Sequence, residues 1–186
     1  VHVAHRLGTR GGDLVCIVGA GPIGLGNTLV QAFLGAEVIV VDVNDYRLEL
    51  ARKCGARHIL NSRETNVVDA VRDVTDGRFA DKCIEAVGRA ETLRLALQVV
   101  GKAGTVAAVG EQGEVPIHVS EGLIRRDITL VGSWFYHYSE YPDILDLYRR
   151  GLDAGRLITH RFPLVEAVDA FGMFAAGRAG KVILKP

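Results

Sequence analysis

From Leu14 onward, short apolar runs alternate with longer segments of helical spacing. The runs predict strands at Leu14 to Val18, Val38 to Val41, His58 to Leu60, Lys82 to Ala86, Thr105 to Val109 and Ile128 to Val131. Several are apolar throughout, as strands covered on both faces must be. Between them, Leu29, Val30, Phe33 and Leu34 share one helical face, and Leu48, Ala51 and Cys54 share the next, behind an Asn44 cap. Gly35 and Gly55 stand where those helices should end. Helices are also predicted over Ser139 to Arg150 and Val165 to Ala176, ahead of a last short strand, Val182 to Lys185. Such alternation builds βαβ units. The expected architecture is α/β, a doubly wound six-stranded parallel sheet in one domain spanning residues 1–186.

Composition narrows the function classes. A chain of 186 residues buries enough surface to fold without disulfides or a structural metal. Its 22 basic and 22 acidic side chains cancel, and no like-charged run offers a footprint for nucleic acid or an anionic membrane. No apolar stretch approaches the roughly 18 residues of a membrane span, and no signal-peptide pattern opens the chain. The expected setting is cytoplasmic, with small molecules or copies of the same chain as partners. Cys16, Cys54 and Cys83 lie too far apart for a zinc knuckle or a disulfide framework. His2, His5, His58, His118, His137 and His160 show no metal-ligand spacing, so no metal site is expected.

Gly19-Ala-Gly21-Pro-Ile-Gly24 follows the first predicted strand and opens a predicted helix. That is the context of a dinucleotide-binding (Rossmann) turn: the first glycine permits the turn, the second admits a pyrophosphate, and the third lets helix and strand pack. Free N–H groups and the helix dipole favour phosphate there. Asp42 ends the second strand about 20 residues further on, where a carboxylate meets adenosine ribose hydroxyls. This pairing points to NAD(H) rather than NADP(H).

Other features carry less. Glu85, in an apolar strand, reads as a carboxylate bonded to nearby backbone ahead of a catalytic group. The aromatic cluster of Trp134, Phe135, Tyr136, Tyr138 and Tyr141 fits a substrate wall, a core patch or a subunit contact. No tyrosine is followed four residues later by lysine, which excludes the base of a short-chain dehydrogenase. Val18 stands where a methyltransferase loop usually has an acid. A nucleotide-sensing module without chemistry remains open.

The chain resembles the cofactor-binding domain of medium-chain, zinc-dependent alcohol and polyol dehydrogenases. The resemblance runs nearly end to end: Asp13, Val18 to Leu25, Val41-Asp42, Cys54 to Ala56, Glu85 to Gly88, Gly104 to Gly110, Leu157 to His160 and Gly180 to Pro186. It implies that Gly19, Gly21, Pro22, Ile23 and Gly24 cradle the pyrophosphate, Asp42 holds the ribose, and Arg47 lies near the adenosine. It further implies Val87 and Arg89 beside the adenine, the backbone of Val109, Ser133 and Phe135 at the nicotinamide carboxamide, and Lys181 reaching the pyrophosphate. Members of the family carry an N-terminal domain with the catalytic zinc, whose ligands this chain lacks. The resemblance therefore implies the NAD(H)-binding part of an alcohol or polyol dehydrogenase, inactive by itself, in a homodimer or homotetramer joined along a sheet edge. A zinc-free quinone or enoyl reductase is the alternative within the family.

Overall fold

A computed structural model describes residues 1–186. Six parallel strands form one sheet: β1 (Leu14–Val18), β2 (Glu37–Asp42), β3 (His58–Asn61), β4 (Ala80–Glu85), β5 (Val100–Ala108) and β6 (Thr129–Gly132). Their spatial order is β3-β2-β1-β4-β5-β6. The order reverses between β1 and β4, and in open α/β sheets ligands bind in the crevice at that point, beyond the carboxyl ends of the strands.

The sheet is covered on both faces, which explains the unbroken apolar runs. On one face Val15, Ile17, Val38 and Val40 pack with α1 (His2–Leu7), α2 (Pro22–Phe33) and α3 (Asp45–Lys53). On the other, Cys16, Val18, Ile39 and Val41 pack with α4 (Val67–Val74) and α5 (Ala90–Val99). The Asn44 side chain caps α3 by accepting the Arg47 N–H at 3.2 Å, and Gly35 and Gly55 take positive φ beyond the ends of α2 and α3.

The remaining elements are a short helix, α6 (Val119–Gly122), then α7 (Tyr141–Arg149), β7 (Ile158–Pro163), α8 (Ala167–Ala175) and β8 (Lys181–Lys185). Three expectations need correction. The fifth strand starts at Val100 rather than Thr105, its first residues pairing with β4 across a register shift between Ala80 and Lys82. Both late helices are shorter than expected, each preceded by a 3-10 turn, at Tyr138–Glu140 and Leu164–Glu166. Finally, β7 is a strand the sequence reading did not expect, and it pairs in parallel with the closing strand β8 in a separate two-stranded sheet.

Candidate functional site

The turn after β1 explains two of its glycines. Gly19 has φ +105°, and a Cβ on it would lie 2.6 Å from Val87 Cγ2. A Cβ on Gly24 would lie 1.8 Å from the Gly19 carbonyl oxygen, so only glycine lets α2 start this close to β1. At Gly21, the N-cap of α2, a Cβ would meet nothing within 4 Å. The space above it is open, the cradle that a pyrophosphate requires.

Asp42 is tied to this turn. Its Oδ2 accepts the Ala20 N–H at 2.7 Å, while Oδ1 accepts the N–H groups of Val43 at 2.8 Å and Asn44 at 3.0 Å. A carboxylate oxygen has two acceptor positions, so Oδ2 keeps one for a further hydroxyl donor. A cavity of about 610 Å³ opens beside it, lined among others by Gly19, Gly21, Asp42, Arg47, Val87 and Arg89. The Nε of Arg47 is buried with no hydrogen-bond partner, and Asn44 holds the turn beside it by donating to the Gly177 carbonyl at 3.1 Å.

On the other side of the turn, Pro22, Ile23, Val109 and Phe135 line a second cavity of about 360 Å³, together with His2 and Trp134. Trp134 and Phe135 meet edge to face at 4.7 Å between ring centroids. At 63% and 71% exposed, they are not a core patch, which removes one of the three readings of the cluster. Lys181 lines a third cavity with Pro22, Phe171 and Phe174. The expected binding residues thus gather around one turn, with two exceptions. Gly24 is buried beneath the turn. Ser133 is buried at the end of β6, its N–H bonded to the Ala108 carbonyl at 3.0 Å and its hydroxyl without a partner.

Glu85 bears out the reading as a backbone-bonded carboxylate. Fully buried, its Oε1 accepts the N–H groups of Val87 and Gly88 and the Thr92 hydroxyl at 2.8–2.9 Å, and Oε2 accepts from Gln112. It shapes the loop that presents Val87 to the cavity. Sequence reasoning missed Arg63, which also lines the cavity holding Asp42 and Arg47. Its signal was positional, since it follows the carboxyl end of β3 on the ligand side of a parallel sheet.

No three His, Cys, Asp or Glu side chains are disposed to hold a metal ion. Cys16 and Cys83 are fully buried neighbours across β1 and β4, and burial foremost, then the adjoining Cys16 thiol, raises the Cys83 thiol well above its ordinary range. These residues do not fit a zinc site. The structure also has no helix long and apolar enough to cross a membrane.

Residues 22–150 match the family model for zinc-binding dehydrogenases. The chain is 31% identical over 180 residues to an L-threonine 3-dehydrogenase of Caldanaerobacter subterraneus subsp. tengcongensis, covering 94% of this chain and 52% of that one. Among solved structures it resembles the alcohol dehydrogenase TADH of Thermus sp. ATN1, with TM-score 0.90 and 32% identity over 99% of this chain and 54% of that one. It also resembles an alcohol dehydrogenase from E. coli CFT073 complexed with NADH, with TM-score 0.88 and 25% identity over 100% of this chain and 56% of that one. The chain spans about half the length of the relatives it matches. With the six-stranded parallel sheet and the glycine turn at its switch point, these matches establish that the chain belongs to the medium-chain, zinc-binding alcohol dehydrogenase family, corresponding to that family's cofactor domain.

Proposed function

We propose that this chain binds NAD(H) and orients the nicotinamide for hydride transfer in an alcohol or polyol dehydrogenase. The observation that carries the reading is the Asp42 carboxylate bonded to the Ala20 N–H, beside the open space above Gly21. One ligand with a pyrophosphate and a ribose satisfies both. The NADH complex of the E. coli CFT073 relative supports the choice of cofactor. The amides at the start of α2, with Lys181 nearby, hold the pyrophosphate. Asp42 accepts from the ribose hydroxyls and Arg47 lies against the adenosine, with Val87 and Arg89 forming the adenine side. Val109 and Phe135 present backbone groups to the carboxamide, and Ser133, whose N–H is bonded to the Ala108 carbonyl, has only its own carbonyl to offer. Bound there, NAD supplies the acceptor for hydride from an alcohol carbon. Because these residues make no zinc site, the chain by itself is expected to hold no stoichiometric zinc and to turn over no alcohol, which metal analysis and an NADH absorbance assay check.

Amide exchange tests the site directly. Adding NADH should slow exchange at the amides of Ala20, Gly21, Ile23 and Gly24, and unchanged exchange at a saturating concentration contradicts the reading. We also propose a homodimer or homotetramer through the exposed edge at β6, where the outer side of an edge strand lies beside exposed aromatics. Sedimentation at micromolar concentration should give an oligomer; a strict monomer counts against it.

A further inference from the structure

Histidines that are scattered in the sequence meet at one carboxylate. His2 and His5, one turn apart on α1, bring their Nδ1 atoms to within 3.0 and 2.9 Å of the Glu140 carboxylate. The His137 N–H donates to the same group at 2.8 Å, and the His137 ring meets the His2 ring edge to face at 4.9 Å. The Glu140 and His2 side chains are only 12% and 11% exposed, whereas that of His5 is 44% exposed. Hydrogen bonds from His2, then from His5, hold the Glu140 carboxyl down at about 2. It is therefore ionised wherever histidines titrate, and each imidazole donates its Nδ1–H.

The position of the cluster gives it a role. Residues 134–139 form the aromatic wall and its continuation, between β6 and α7. Near β6 this segment is anchored by the Ser133 N–H on the Ala108 carbonyl, and near α7 by Glu140 on α1. Between these anchors no backbone hydrogen bond ties the segment to another element. His2 itself lines the cavity that Trp134 and Phe135 face.

We propose that Glu140 is a positioning residue for this wall, and that protonation of His2 and His5 sets its hold. Charged imidazoles make charge-assisted bonds to the carboxylate, roughly twice as strong as the neutral bonds that replace them. The fastening is tight while both imidazoles are charged and relaxes as rising pH removes that charge. The titratable neighbour on the wall itself is His137, whose ring meets that of His2 edge to face. On α7, Asp143 and Asp146 favour a charged His5 and Arg150 opposes it, all lining one adjoining cavity with His5. The inference rests on the cofactor reading only for what the wall faces.

Trp134 is the chain's sole tryptophan, so its emission reports on the wall. In the unsubstituted chain, emission should shift as pH rises and the imidazoles lose their charge, and NADH should bind about threefold tighter at the acid end, the change from charge-assisted to neutral bonds. Glu140→Gln should remove both effects and leave emission at its alkaline value. His5→Gln, at an exposed position, should shrink the amplitude and provides the test if Glu140→Gln does not fold. A flat response in the unsubstituted chain, an unchanged titration in Glu140→Gln, or an unchanged amplitude in His5→Gln overturns the proposal. Titration of Trp134 without NADH binding at any pH supports the fastening and rejects the cofactor reading.

Discussion

The Asp42 carboxylate accepts the N–H of Ala20 at 2.7 Å, so the end of β2 and the glycine turn after β1 are fastened by one side chain. Asp42 therefore holds the turn, and under the proposed function it also presents negative charge to a ribose. Asn at this position keeps one acceptor for Ala20 but removes the charge that opposes a 2′-phosphate. A unit charge pair about 4 Å apart at an effective dielectric near 20 is worth roughly 4 kcal/mol, an upper figure for that opposition. Asp42→Asn is expected to weaken NADH and strengthen NADPH until their affinities lie within about threefold, or about 0.7 kcal/mol. Fluorescence titration with both cofactors checks it; an unchanged ratio would show that Asp42 does not face the ribose.

The two glycines on α2 separate packing from ligand room. Gly24→Ala drives a methyl group into the Gly19 carbonyl, and relieving that clash should cost about 1–3 kcal/mol of stability. Gly21→Ala meets no protein atom and should leave the Tm nearly unchanged, yet its methyl group occupies the pyrophosphate space. NADH affinity should fall at least about tenfold, or about 1.4 kcal/mol. Thermal melts and NADH titrations of both variants should show opposite patterns; Gly21→Ala binding NADH as well as the parent would move the ligand elsewhere.

Much of this site was legible because the sheet is covered twice. β1 matches its predicted bounds, Leu14 to Val18, since all five residues are buried. The start of β5 was hidden because Gly101, Lys102 and Gly104 read as a turn and Ala103 takes φ +59°. β7 was hidden because its residues are half-buried or exposed and its only strand partner is β8. The glycine turn, Asp42 and Arg47 could be read from spacing and resemblance. Arg63 has no motif, and Glu140 meets His2 across 138 positions, a pairing that only the tertiary fold creates.

Glu85 should matter for stability before it matters for binding. Glu85→Ala leaves the Val87 and Gly88 N–H groups without their buried acceptor, while the Thr92 hydroxyl keeps the Arg89 carbonyl at 2.8 Å. At about 1–3 kcal/mol for each unsatisfied group, the unfolding free energy should fall by roughly 2 kcal/mol or more. Urea denaturation measures this, and a loss under about 1 kcal/mol would mean the loop finds other partners.

Beneath the sheet, Lys82 donates to Asp13 and to the Gly8 carbonyl. Burial works to raise the Asp13 carboxyl, but the hydrogen bonds from Lys82 and the Arg10 N–H, with the charges of both residues, outweigh it and hold the group below its ordinary value. A carboxyl depressed on folding stabilises above its unfolded pKa, and that contribution disappears as pH falls through its folded pKa. Asp13→Asn should therefore lower the Tm at about pH 7 and show a smaller deficit at an acid pH where Asp13 takes up a proton. An equal Tm deficit at both pH values would assign the effect to packing.

The central claim, that this chain is an NAD(H)-binding domain selected by Asp42, is tested most directly by calorimetric titration of the unsubstituted chain with NADH and NADPH at one ionic strength. The account predicts one site per chain and NADH tighter by at least about tenfold, a margin of about 1.4 kcal/mol. Equal affinities, or no heat of binding with either cofactor, would contradict it.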